Sequence, residues 1–212
     1  MSALPEPVAP LRRLARRRAV RLVKRASEET GVPVLVVGGA VRDAFLKLPP
    51  GDVDLAVSRD AAPAFAESLA RLAGTRALAV GTAPRRILHV PLGATSVDVW
   101  ETDGDPRADL LRRDFTVNAI GLVLPGRRLV AAPGAFDDLR LRRLRLPRPG
   151  VLLEDPLRVV RAARFLERLP GFRLDASVLP ELLRAALLLP EVAPERRLAE
   201  LDAILSAGPV SA

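Results

Sequence analysis

The run Val34-Leu35-Val36-Val37, closed by Pro33 on one side and Gly38-Gly39 on the other, constrains this chain more than any other segment. Four consecutive apolar residues are too few for a helix and suit a buried strand, and a strand buried on both faces needs other elements to cover it. The two glycines permit a tight turn, after which Ala40 to Leu48 begins a short helix. Upstream, Leu11, Leu14, Ala15, Ala19, Leu22, Val23 and Ala26 recur at helical spacing, and Gly31 and Pro33 supply a stop. This spacing predicts one amphipathic helix over Leu11 to Thr30 with an Arg-rich outer face. The three prolines in residues 1–10 predict a loose leader.

Strand signals recur at Val53 to Val57, Ile87 to Val90, Thr95 to Trp100 and Ile120 to Leu124, with a helical stretch at Pro63 to Ala73. Pro91 to Gly93 and Pro125-Gly126 mark turns among them. Beyond Asp137 the strand signals stop. Leu157 to Leu169, Leu179 to Leu189 and Glu195 to Ser206 all carry the helical period. The expected class is α+β: a mixed β-sheet flanked by helices over residues 1–136, then a small all-α domain over residues 137–212.

Composition narrows the chemistry. With no Cys and the single His89, the chain can form neither disulfides nor thiolate or multi-His metal sites, so any metal must sit on carboxylates. The net charge of +8 favours a polyanionic partner such as nucleic acid or nucleotide, against a plain solvated surface. No window approaches the ~18 apolar residues of a membrane span, and a cytoplasmic protein is expected. His89 lies in an apolar run and reads as a packed core or sheet residue rather than a catalyst.

The chemistry concentrates in Gly51-Asp52-Val53-Asp54-Leu55. On a strand Asp52 and Asp54 point the same way, and two like charges so close are unfavourable unless a cation lies between them. The alternative is an exposed strand end with two solvated carboxylates. Upstream, Gly38 and Gly39 let backbone amides approach an anion at the start of a helix, and Arg42 adds a forked cation, a combination suited to a triphosphate. Here the alternative is an ordinary turn with an Arg42–Asp43 ion pair. Asp98, between two apolar residues on a predicted strand, is a third acid. Three such carboxylates could hold two Mg²⁺ ions.

Four stretches together resemble one family: Gly38-Gly39-Ala40-Val41-Arg42-Asp43 with Gly51-Asp52-Val53-Asp54; Leu111-Arg112-Arg113-Asp114-Phe115-Thr116-Val117-Asn118-Ala119-Ile120; and Glu154-Asp155-Pro156-Leu157-Arg158-Val159-Val160-Arg161-Ala162-Ala163-Arg164-Phe165. They are similar to the class II tRNA nucleotidyltransferases (CCA-adding enzymes) and bacterial poly(A) polymerases of the polymerase β-like superfamily. Glu195-Arg196 and Glu200-Leu201 look like that family's next helical motif. The resemblance implies a nucleotidyltransferase head followed by a helical neck, two Mg²⁺ ions, CTP or ATP as substrate, and an RNA 3′ end as acceptor. It implies that Asp52, Asp54 and Asp98 bind metal and that Gly38, Gly39 and Arg42 contact the triphosphate. It further implies that Arg113 and Asp114, with Asn118 nearby, meet the nucleotide sugar. Asp155 and Arg158 would read the base edge, a pair three residues apart on one helical face, and Arg161 would face the phosphates.

Ten residues separate Trp100 from Leu111, a short connection similar to that of CC-adding relatives. The chain ends at Ala212, so the family's body and tail domains are expected to be absent. The segments Ala131-Ala132 and Val151-Leu152-Leu153 also depart from the family's usual residues. A basic stripe formed by Arg140, Arg142, Arg143, Arg145 and Arg148 could track an RNA backbone. Two further readings stand beside transfer to RNA. One is a catalytically weak nucleotide- or RNA-binding module that needs a partner subunit or an oligomer, and the other is a nucleotidyltransferase acting on a small molecule.

Overall fold

The computed structural model describes residues 8–49, 51–81, 86–103 and 105–205. Residues 1–7 of the expected leader and Ser206, the expected end of the last helix, lie outside them. The chain divides into two compact units, one formed by residues 1–111 and 118–131, the other by residues 112–117 and 132–212. The boundary expected at 136/137 thus falls inside the second unit, which also claims Arg112–Val117.

In the first unit, α1 (Val8–Arg16) and α2 (Arg18–Thr30) lead into β1 (Val34–Val37) and α3 (Gly39–Leu46), followed by β2 (Val53–Ser58) and α4 (Ala62–Ala73). β3 (Leu78–Val80), β4 (Ile87–Pro91), β5 (Ser96–Thr102), β6 (Ile120–Leu124) and β7 (Arg128–Ala131) complete it. The seven strands form one mixed sheet in the order β3-β4-β5-β2-β1-β6-β7. β2 and β5 run parallel, and the remaining neighbours are antiparallel.

The helix expected over Leu11 to Thr30 is two helices. Arg17 adopts extended backbone between them, at φ −61° and ψ 133°. The break lets α1 pack on α3 while α2 packs on α4, which one straight helix could not do. Leu14 on α1 and Val20, Val23 and Ala26 on α2 are buried as a result, and Arg13 Nε donates to the Ala44 carbonyl at 3.0 Å. β3 and β7 had no counterpart among the sequence signals. They are the two edges of the sheet, and β3 buries none of its three residues, so neither carries a clear apolar alternation.

β4 and β5 bury alternate residues: Leu88, Val90, Val97 and Val99 are covered, and α4 packs on both strands. The intervening residues, among them His89 and Asp98, lie on the other, half-exposed face. Gly121 on β6 makes room for Leu35 on β1, whose Cδ1 would sit 2.6 Å from an added Cβ.

The second unit contains α5 (Ala135–Arg140), β8 (Arg143–Leu144), α6 (Val151–Glu154), α7 (Arg158–Arg168), β9 (Arg173–Leu174), α8 (Leu179–Leu187) and α9 (Pro194–Leu205). It is helical as expected, with one addition: β8 and β9 form a parallel pair of two residues each, too short to leave a periodic signal. Phe115 and Phe165 meet edge to face at 5.8 Å in its core. Thr116 ties the 112–117 segment to this unit. Its N–H donates to the Arg145 carbonyl at 2.8 Å and its hydroxyl to the fully buried Asp138 at 2.8 Å. Glu181 on α8 accepts the N–H groups of Gly150 and Leu152 at 2.8 and 2.7 Å, capping the free N-terminus of α6.

Candidate active site

One row of residues crosses the sheet. Leu78 faces His89, His89 faces Asp98, Asp98 faces Asp54, and Asp54 faces Val37. Directly opposed residues of paired strands project from the same face. Asp54 and Asp98 are therefore immediate neighbours there. Asp52 precedes β2 in an exposed loop, and its Oδ1 accepts the N–H of Ser96, the first residue of β5, at 2.7 Å. Trp100 Nε1 donates to Asp54 Oδ1 at 3.4 Å.

Val37 is the last residue of β1 and opposes Asp54 in an antiparallel pair, so the chain leaves the sheet at Gly38-Gly39 beside Val53 and Asp52. The expected glycine turn and the Asp-x-Asp pair are thus brought to the same edge. Gly38, at φ 71° and ψ −139°, holds a backbone conformation that side chains rarely adopt. Arg42 is buried on the first turns of α3. Its Nε donates to Asp43 Oδ1 at 2.8 Å and its Nη1 to Asn118 Oδ1 at 2.6 Å. The Arg42–Asp43 ion pair of the plain alternative is present, and Asn118 steadies the same guanidinium from the short 3-10 turn Thr116–Asn118 that precedes β6.

The donor set suits a hard divalent cation. Asp52, Asp54 and Asp98 offer only oxygens, and Mg²⁺ is commonly held by one or two carboxylates together with substrate phosphates. No three His, Cys, Asp or Glu side chains gather into a metal-binding group among the described residues. Each of the three aspartates has one oxygen engaged, Asp52 by Ser96, Asp54 by Trp100 and Asp98 by His89, whose Nδ1 lies 2.7 Å from Asp98 Oδ1. His89 is the sheet residue that its apolar run allowed, on β4, and not a packed core one. A third of its side chain is exposed, and it faces a candidate metal ligand. The hairpin turn after Pro91 held the signal, since counting outward from it sets residue 89 opposite residue 98.

The remaining expected residues lie in the second unit. Asp114 is buried; its Oδ1 accepts the Phe115 N–H at 2.9 Å, and its Oδ2 accepts Nε and Nη2 of Arg161 at 2.9 and 2.8 Å. Arg161, which the resemblance sets facing the phosphates, has its guanidinium engaged by Asp114 and by Glu200 at 3.2 Å. Burial works against its charge, but Asp114 and then Glu200 outweigh it and hold Arg161 above the ordinary guanidinium range. Arg113, half-buried, sits beside Asp114 in the same segment.

Asp155 and Arg158 do not share a helical face. Asp155 has extended backbone at φ −147° and ψ 91°, between α6 and α7, and Arg158 is the first residue of α7. Pro156 is the cause, because the residue before a proline is pushed out of the helical region. Arg196 donates to Asp155 at 2.9 Å. Arg158 donates to the carbonyls of Val151 and Arg112 at 2.9 and 2.6 Å, and burial lowers its pKa against the pull of Asp114 and Asp155.

The expected basic stripe is largely engaged within the unit. Arg143 and Arg145 both bond Asp138 at 2.9 Å, Arg148 bonds Glu154, Arg140 bonds Asp137, and Arg142 donates to the Pro170 carbonyl. No helix among the described residues is long and apolar enough to cross a membrane.

No protein-family model matches the sequence. Individual relatives do. The chain is 40% identical over 158 residues to the multifunctional CCA protein of Xylella fastidiosa, covering 70% of this chain and 37% of that protein. It is 37% identical over 194 residues to the multifunctional CCA protein of Xanthomonas euvesicatoria, with 84% and 47% covered. It is 34% identical over 173 residues to the A-adding tRNA nucleotidyltransferase of Geobacter sulfurreducens, with 74% and 19% covered. Among solved structures, the Thermotoga maritima CCA-adding enzyme complexed with tRNA superposes with a TM-score of 0.81 at 28% identity, over 97% of this chain and 51% of that one. The chain thus spans less than half the length of these curated relatives. Over most of its length the chain is similar, in sequence and in fold, to CCA-adding and A-adding tRNA nucleotidyltransferases.

Proposed function

We propose that this chain performs metal-dependent nucleotidyl transfer, adding C, A or both from CTP or ATP to the 3′ hydroxyl of a tRNA or tRNA-like RNA in the cytoplasm. The observation that carries the reading is the cross-strand alignment of Val37, Asp54 and Asp98, with the Gly38-Gly39 turn starting one residue past Val37. It puts an anion-binding turn beside paired carboxylates, as in-line displacement on a triphosphate requires. The CCA-adding and A-adding names of the relatives support the same reading.

In this reading Asp52, Asp54 and Asp98 hold two Mg²⁺ ions, which when bound supply Lewis-acid activation of the hydroxyl and neutralise charge on the triphosphate. The backbone amides of Gly38 and Gly39, the N-terminus of α3 and Arg42 receive the phosphates. The 3′ oxygen bonds to the α-phosphorus as the bond to the β-phosphate bridging oxygen breaks, and pyrophosphate departs toward that turn. Asn118 keeps Arg42 oriented. Arg113 and Asp114 meet the sugar, and Arg161 serves them by fixing Asp114 rather than by touching phosphate. Asp155 and Arg158 read the base edge, for which Asp155 exchanges Arg196 and Arg158 its carbonyl partners for the base.

The test is incubation of the purified chain with Mg²⁺, labelled CTP or ATP, and a tRNA or minihelix lacking its 3′ end. Extension by one to three nucleotides is expected, and no extension with any nucleoside triphosphate overturns the reading. The internal bonds of Asp155 and Arg158 favour one second reading, a binding module that holds nucleotide without turning it over. That reading predicts calorimetric CTP or ATP binding with no extended product.

A further inference from the structure

We infer that His89 is a positioning residue for the metal site, holding Asp98 through its Nδ1 so that the second carboxylate oxygen serves the ion; this rests on the metal-dependent reading above. Three observations converge on it. His89 directly opposes Asp98 in the β4–β5 hairpin, and its Nδ1 lies 2.7 Å from Asp98 Oδ1. Strand order sets Asp98 between His89 on β4 and Asp54 on β2, so the imidazole engages the carboxylate from the side away from the other acid. Both side chains are partly exposed on the open face of the sheet, His89 at 32% and Asp98 at 24%, so burial does not account for the pairing.

The chemistry follows from the row. Asp54 and Asp98 are in register on adjacent strands, and like charges placed so repel. An Nδ1–H donated to Oδ1 disperses part of the Asp98 charge and fixes the rotation of its carboxylate, leaving Oδ2 as the oxygen presented for coordination. Carboxylates that bind metals are commonly oriented by such an outer partner, and loss of the partner weakens metal binding by about 10- to 100-fold. Leu78, the residue opposite His89 on β3, is apolar and 53% exposed, so it offers no competing hydrogen bond.

The donor atom decides the test. An Asn amide nitrogen can occupy the place of Nδ1, whereas Leu fills similar volume without a donor. Mn²⁺ binding to the full chain, read from the electron paramagnetic resonance signal of the free ion, is compared for the native chain and for Asp54→Asn, His89→Asn and His89→Leu, with thermal melting as the fold control. His89→Leu is expected to weaken Mn²⁺ binding by about 10- to 100-fold while melting like the native chain, and His89→Asn to recover most of the loss. His89→Leu binding Mn²⁺ like the native chain, or His89→Asn failing as badly as Leu, overturns the inference. Should His89→Leu not fold, His89→Ala takes its place with the same expectation. Native chain and Asp54→Asn binding Mn²⁺ equally would instead overturn the metal reading itself.

Discussion

Arg161 clasps a single oxygen of Asp114 from two nitrogens, Nε at 2.9 Å and Nη2 at 2.8 Å, while the other oxygen caps the N–H of Phe115. A nearly fully buried carboxylate of the Arg112-Arg113-Asp114 stretch is thereby neutralised by an arginine of α7, 47 residues away in sequence. Replacing Arg161 with Ala strands that charge. Stranding one member of a buried pair costs about 3–5 kcal/mol, and because a third of Arg161 reaches water the expected loss is about 2–3 kcal/mol. Urea unfolding would read it, and Arg161→Lys, which gives a point charge and no fork, should recover less than half.

Glu181 gives a prediction remote from the chemistry. Its carboxylate accepts two N–H groups at the start of α6, at 2.8 and 2.7 Å. Glu181→Ala leaves both donors without this acceptor and should cost about 2 kcal/mol, while Glu181→Gln, which keeps one carbonyl acceptor, should cost about half as much. The melting temperatures of the two variants should fall in that order, and equal melting would contradict the capping role.

At the glycine turn, Gly38→Ala meets a φ of 71° that a β-carbon opposes. The variant should lose about 1–3 kcal/mol of stability and bind CTP or ATP more weakly, because the turn that presents the amides is displaced. Calorimetric titration checks the second effect. Gly51→Ala, where an added Cβ would meet open space, is the control and should bind like the native chain.

The bond from Arg42 Nη1 to Asn118 Oδ1, 2.6 Å long and buried, predicts coupling between those positions. Asn118→Ala should weaken nucleotide binding about tenfold, in line with the roughly 1.4 kcal/mol of one charge-assisted hydrogen bond. In an Arg42→Ala background the same change should do much less. Additive losses in the double mutant would show that Asn118 does not act through Arg42.

Much of this arrangement is legible in the residues themselves. Five of the seven strands announce themselves through apolar runs or alternation, and Gly38-Gly39 with Asp52 and Asp54 marks the candidate site because the proposed chemistry dictates residue types at short spacing. What escaped has a physical cause in each instance. The edge strands β3 and β7 bury too little to pattern their sequences, and the break at Arg17 answers two packing partners, α3 and α4, that lie far off in the chain. The helical face drawn through Asp155 and Arg158 overlooked what Pro156 does to the residue before it. His89 was hidden by its apolar neighbours, although the hairpin register that gives it Asp98 could be counted from the turn.

In the proposed reaction the Asp54–Asp98 row beside the glycine turn is the catalytic centre. Single-turnover extension of a tRNA lacking its 3′ end, with Mg²⁺ and CTP or ATP, tests it most directly when the native chain is compared with Asp54→Asn. Asp54→Asn is expected to extend at least about 10³-fold more slowly, the equivalent of roughly 4 kcal/mol, while melting no lower than the native chain because a like-charge neighbour of Asp98 has been removed. Extension by Asp54→Asn at the native rate would contradict it.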